Sequence, residues 1–283
     1  MKVMITGGEG MFGKDLSLTL KNEKIECISL TKEQLNILNG EKIKLAIKEH
    51  NPDVVVNCAA YTKVDMAEVE RDRAVAVNGT GVYNLARECK KAGIKLVHIS
   101  TDYVFSGEKK HPYQPFDLPN PLNVYGLSKL YGEELLKNSG CDYLIVRTSW
   151  LYGVYGENFV SKMLQLSEER SSLDVVNDQF GSPTFTHTLA KYLVMMIKKD
   201  LSGIFHITDR TGNGISWYTF AKKIMEVFGR DTVINPVSSD KFIRPAKRPA
   251  YSVLDLELTE TLLGEKLPYW EVSLGEYKKR LKI

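Results

Sequence analysis

Val3-Met4-Ile5-Thr6-Gly7-Gly8-Glu9-Gly10-Met11-Phe12-Gly13 stands near the N-terminus of a 283-residue chain, and its reading decides the fold. The apolar run predicts a buried strand, and the glycines at 7, 10 and 13 predict a tight turn into a helix that runs to about Asn22. Glycines so placed let backbone approach a pyrophosphate and let the helix pack on the strand, while the helix N-terminus offers partial positive charge. Gly7 and Gly10 are separated by two residues, a departure from G-x-G-x-x-G.

Working outward, the same strand-then-helix alternation continues. Strands are expected at 26–30, 54–57, 94–99 and 143–146, with helices at 41–50, around Asn78, and from Asn123 onward. That alternation predicts an α/β fold, a Rossmann-type doubly wound parallel sheet whose ligands lie beyond the carboxyl ends of the strands. Thr31 and Lys32 follow the second strand where an acidic residue would favour a bare ribose. A hydroxyl and an ammonium suit a 2′-phosphate, so NADPH is the expected cofactor, with NADH kept open by Glu33. Ala59, Ala60 and Tyr61 end the third strand, and their small leading side chains leave room for a flat ring.

Thr101 ends the next expected strand. After a proline-rich excursion, Asn123-Val124-Tyr125-Gly126-Leu127-Ser128-Lys129 puts a phenol and an ammonium one helical turn apart. Reduction of a ketone needs a donor on the carbonyl, an acid for the developing alkoxide and a held nicotinamide. Thr101, Tyr125 and Lys129 are the candidates, with Lys129 expected to lower the Tyr125 pKa and to bind the ribose.

Composition removes other classes. A net charge of +3 with 43% hydrophobic and 26% charged residues is an ordinary balance, and the charges are interleaved, so neither a nucleic acid nor a membrane is an expected partner. The four cysteines are widely spaced and read as reduced thiols of a cytoplasmic protein. No apolar stretch approaches the ~18 residues of a membrane span. No zinc-type spacing occurs, and no metal site is placed.

Gly7-x-x-Gly10-x-x-Gly13, Ser100-Thr101-Asp102-Tyr103-Val104-Phe105, Tyr125-Gly-x-x-Lys129 and Arg147-Thr148-Ser149-Trp150 together resemble the extended short-chain dehydrogenase/reductase superfamily, and within it the dTDP-4-dehydrorhamnose reductase family. Ala59-Ala60-Tyr61-Thr62-Lys63-Val64-Asp65, Asn177 to Thr184 and Arg244 to Pro249 extend the likeness over nearly the whole chain. The resemblance implies that Gly10, Met11 and Phe12 wrap the pyrophosphate, that Ala59, Ala60 and Tyr61 line the cofactor, and that Thr101, Tyr125 and Lys129 are catalytic. It sets Asp102 and Trp150 at the sugar of a nucleotide-sugar substrate. It also implies a homodimer and, for some members, a divalent metal. Leu35-Asn36-Ile37-Leu38-Asn39 lacks the two carboxylates the family often carries there.

Residues 1–150 are expected to form the dinucleotide-binding domain and 151–283 a smaller C-terminal α/β substrate-binding lobe, with returns to the first domain allowed. In that lobe Arg244, Lys247 and Arg248 are the candidates for a substrate diphosphate, whereas His187 and His206 read as structural. Two alternatives are kept: another nucleotide-sugar epimerase or reductase, although His98 and Cys141 are poorly placed as its extra acid and base, and a non-catalytic subunit resembling the methionine adenosyltransferase β subunit.

Overall fold

Lys2–Thr6 (β1), Glu26–Leu30 (β2), Val54–Asn57 (β3), Lys95–Thr101 (β4) and Tyr143–Thr148 (β5) are joined by the strand Gly203–His206 in one sheet. The computed structural model describes residues 1–281. The sheet has six strands in the order β2, β1, β3, β4, β5 and Gly203–His206, and every neighbouring pair is parallel. Parallel strands are covered on both faces, which is why they read as unbroken apolar runs.

Successive side chains take opposite faces. Val3 and Ile5 enter a core with Leu16 and Leu20 of helix α1 (Met11–Asn22) and with Leu189 and Leu193. Met4, between them, enters a second core with Ile43, Leu85 and Leu136 from the helices on the other side. Each such buried aliphatic side chain contributes roughly 1.5–3 kcal/mol.

A third core, with Tyr152, Phe185, Phe220, Trp270, Leu274 and Tyr277, holds the smaller lobe. That lobe pairs Ser172–Val176 with Val233–Val237 in parallel. Within the span 151–283, the helix Thr186–Lys198 and the strand Gly203–His206 return to the first lobe, as the sequence division allows. The strand extends the sheet beyond β5, and the helix covers α1, where the Thr186 hydroxyl donates to the buried Asp15 carboxylate.

The long helix expected around Asn78 is segmented. Arg71–Val75 leads into a π-helical turn, Ala76–Thr80, and then into Gly81–Ala92. Within the wide turn, Asn78 Oδ1 accepts from the Tyr61 N–H at 2.8 Å, and its Nδ2 donates to Tyr61 O at 3.0 Å and to Ser128 Oγ at 2.9 Å. Asn78 thereby ties the end of β3 to the helix that carries Tyr125.

Candidate active site

β2 lies on one side of β1 and β3 on the other, so the direction of winding reverses between β1 and β3. At such a switch point the loops leave the strands in opposite directions and open a crevice. Here it is a cleft of about 810 Å³, lined by the glycine turn, by Cys58 to Tyr61, by Thr101, Tyr125 and Lys129, and by Trp150 and Trp217.

The turn is shaped for close approach. Gly7 has φ +66°, and a Cβ there would stand 2.7 Å from the Ala59 backbone nitrogen. A Cβ on Gly13 would stand 2.7 Å from Gly7 O. Gly10 caps α1 without a side chain, so Met11, Phe12 and Gly13 bring the amides of the first helical turn to the cleft wall. These residues fit a cofactor pyrophosphate.

Asn123 caps the helix Val124–Lys137, its Oδ1 accepting from the Gly126 N–H at 2.8 Å. Farther along, Glu133 is fully buried against Arg147 of β5, Nη2 to Oε2 at 2.6 Å, and Arg147 Nη1 donates to Pro115 O at 3.0 Å. The helix, β5 and the proline-rich loop are thus held as one block behind the cleft.

Burial pushes the Tyr125 phenol up to about 12, with the Thr101 hydroxyl opposing the shift and Asp102 adding to it. Lys129 was expected to lower that value, and it does not. Its Nζ turns into the sheet, donating to Ile99 O at 2.6 Å and lying 3.2 Å from His98 Nε2. Burial brings the ammonium down to about 8, against the opposing pull of Glu133 and Cys58. The physical reason is desolvation, the largest influence on both groups, and neither shift draws on the other group.

Thr101 Oγ1 donates to Asp102 Oδ1 at 3.0 Å and accepts from the Tyr103 N–H at 3.2 Å. Asp102 is almost wholly buried, its Oδ2 has no hydrogen-bond partner, and desolvation raises its carboxyl to about 7 despite the nearby Ser252 and Thr101 hydroxyls. Asp102 therefore stands behind Thr101 and orients its hydroxyl. Trp150 adopts φ +47° and lies flat on Trp217, ring centroids 3.5 Å apart and 9° from parallel.

Other sequence candidates fall elsewhere. Lys32 lines the cleft, as do Glu9 and Asn36, whereas Thr31 does not; its Oγ1 accepts from the Gln34 N–H at 3.3 Å in a local turn. Arg244 and Arg248 are not among the cleft's lining residues. Both face Asp65, because a carboxylate within reach satisfies the guanidinium fork. Lys247 contributes its carbonyl, which accepts from Asn123 Nδ2 at 2.8 Å. His206 Nδ1 donates to Asp255 O at 3.1 Å, and His187 Nε2 faces Arg280 at 2.7 Å.

Trp217 and Arg73, which no sequence signal singles out, also line the cleft. Arg73 lies over the Tyr61 ring at 5.7 Å. Neither sits in a motif, and only the folded chain brings them near their partners. Among the described residues no group of three or more His, Cys, Asp or Glu is placed to hold a metal, and no helix is long and apolar enough to cross a membrane.

A parallel sheet whose switch-point cleft gathers a glycine turn, Thr101, Tyr125 and Lys129 has the make-up of a class, the nucleotide-cofactor oxidoreductases of the short-chain type. The family model described as the RmlD substrate binding domain matches residues 1–283, and the chain belongs to that family. It is 42% identical to the spore coat polysaccharide biosynthesis protein SpsK of Bacillus subtilis, over 98% of this chain and 96% of that one. It is 40% identical to a dTDP-4-dehydrorhamnose reductase of Streptomyces griseus, over 96% of this chain and 91% of the relative. The crystal structure of a dTDP-4-dehydrorhamnose reductase from Bacillus anthracis in complex with NADP superposes with a TM-score of 0.95 at 40% identity, covering 99% of each chain.

Proposed function

We propose that this chain reduces the C4 keto group of dTDP-4-dehydro-L-rhamnose to dTDP-L-rhamnose, as a cytoplasmic enzyme of nucleotide-sugar synthesis for cell-surface polysaccharide. The single observation that carries the reading is the convergence of the glycine turn, Thr101, Tyr125 and Lys129 on one cleft, in a chain that resembles named reductases along its full length.

NADPH, when bound, supplies the hydride. The turn from Gly7 to Gly13 would hold its pyrophosphate and Ala59 to Tyr61 its adenosine side, with Lys32 at the cleft edge to favour a 2′-phosphate. The Thr101 hydroxyl, which donates to Asp102 in the free protein, would turn its single proton from that carboxylate to the substrate carbonyl oxygen. Tyr125, held as a phenol by its burial, gives its proton to the alkoxide that forms. Lys129 would hold the nicotinamide ribose. Trp150, stacked on Trp217, offers a flat wall for the pyranose. The family resemblance makes a homodimer the expected assembly.

The test is NADPH oxidation with dTDP-4-dehydro-L-rhamnose. Turnover well above that of Tyr125→Phe supports the reading, and turnover equal to that control sinks it. A kcat/KM for NADH above that for NADPH removes the cofactor preference.

A further inference from the structure

Behind the cleft wall runs a line of buried polar groups that ends on Lys129, and the proposed reaction uses none of the others. Thr6, Asn57, His98 and Lys129 are each almost wholly buried. The Thr6 hydroxyl donates to Asn57 Oδ1 at 2.6 Å, and the Ala59 backbone N–H donates to the same oxygen at 3.2 Å. Asn57 Nδ2 lies 3.1 Å from His98 Nδ1, and His98 Nε2 lies 3.2 Å from Lys129 Nζ.

One fixed donor sets the protons along this line. A backbone N–H can only donate, so the Ala59 amide selects the oxygen of Asn57 and turns Nδ2 toward the imidazole. Nδ2 has only protons to offer, and His98 Nδ1 must accept. Burial alone holds the imidazole neutral, and a neutral imidazole carries one N–H. That proton is therefore on Nε2, aimed at Lys129. An ammonium has no lone pair with which to receive it. A neutral amine accepts from Nε2–H and still donates to Ile99 O, 2.6 Å away.

We propose that His98, oriented through Asn57 by the Ala59 amide, stabilises the neutral amine of Lys129 and is a positioning residue that makes Lys129 a proton carrier instead of a permanent cation. The other groups facing Nζ allow this. Glu133, on the same helix, is matched by Arg147 of β5. Cys58, after β3, is kept a thiol by its burial, and Tyr125, one turn back, is kept a phenol. The desolvation of Nζ itself acts in the same direction. The role in turnover rests on the reductase reading; the state of the amine does not.

The experiment is an NMR titration of the Lys129 ε-methylene in the full chain, beside the pH profile of kcat, for the parent protein, Asn57→Asp and His98→Gln. In Asn57→Asp the carboxylate accepts from His98 Nδ1–H, leaving a lone pair on Nε2 for an ammonium. In His98→Gln the amide oxygen can do the same. The parent Lys129 is expected to titrate at least about two units below the ordinary ~10.4 of lysine. Either folded variant should raise that value by about one unit or more, and the alkaline limb of kcat should move with it. An ordinary lysine titration in the parent, or no shift in either folded variant, overturns the proposal. A low parent value that both variants raise, without any turnover, supports the proposal while sinking the reductase reading alone.

Discussion

Arg248 grips Asp65 at two points, Nη1 to Oδ1 and Nη2 to Oδ2, each at 2.9 Å. The same guanidinium donates to Ala246 O at 2.7 Å, and the neighbouring Lys247 carbonyl receives Asn123, the cap of the Tyr125 helix. The loop that reads as a phosphate receptor in the sequence forms a clasp across the top of that helix. The Arg248 hydrogen bonds hold the Asp65 carboxyl below the usual carboxylate range.

Arg248→Ala should therefore lower stability by about 1–3 kcal/mol at pH 7. Because the folded carboxyl titrates below the unfolded one, that stability is present above ~3.9 and is lost as pH falls through the depressed value. Urea unfolding of the parent and the variant at pH 7 and near pH 2 measures it. Equal stability at pH 7 would remove the clasp from the account.

Tyr125→Phe should reduce kcat by ~10²-fold or more while leaving NADPH affinity within a few-fold. Lys129→Ala should impair both. With its phenol pushed up to about 12, Tyr125 remains a proton donor across the neutral range, so an alkaline limb between pH 7 and 10 belongs to Lys129. Fluorescence titration of NADPH beside steady-state kinetics separates the two residues. A collapse of cofactor affinity in Tyr125→Phe assigns that residue a structural role instead.

Asp102 gives a stability signature of the opposite sign to Asp65. Its folded carboxyl is raised to about 7, so between the unfolded value and that point the native state binds more protons, and stability falls as pH rises, by up to ~1.4 kcal/mol per unit. Asp102→Asn should lack that loss. Parallel slopes for the two proteins between pH 4.5 and 7 would show that Asp102 is ionised in the native state.

Gly181→Ala probes the tryptophan stack without touching the cofactor side. A Cβ there would stand 2.6 Å from the Trp150 ring, and the ring must leave its seat on Trp217. The sugar KM should rise several-fold, by analogy with the ~0.5–1.5 kcal/mol carried by an aromatic pair, with NADPH affinity unchanged. An unchanged KM would mean that this wall does not meet the sugar.

Much of the cofactor half is legible in the sequence because its signals are local. Three glycines after an apolar run, Asn123 before a helix and Thr101 at the end of a strand each report on their own neighbourhood. The rest depends on distant partners. Gly203–His206 reads as a strand, but nothing in it says that its neighbour is β5. Val233–Val237 went unread because Pro236 disguises an edge strand. Trp270–Arg280 carries charge along most of its length yet buries Trp270, Leu274 and Tyr277. The carboxylate partner of Arg248 lies far away in the chain, so the sequence shows the guanidinium without Asp65. The orientation of Lys129 depends on how closely β4 packs behind it, which spacing on a helix does not encode.

The return of Thr186–Lys198 and Gly203–His206 to the first sheet has a mechanical consequence. The chain leaves that body near Trp150, re-enters at Thr186, departs again by Trp217, lends Leu263 and Leu267 to the first core and departs once more at Trp270. The two walls of the cleft are sewn together by several crossings. Any swing of one wall against the other has to bend all of these crossings together, and a cut after residue 150 would leave an unpaired sheet edge and a bare α1 face.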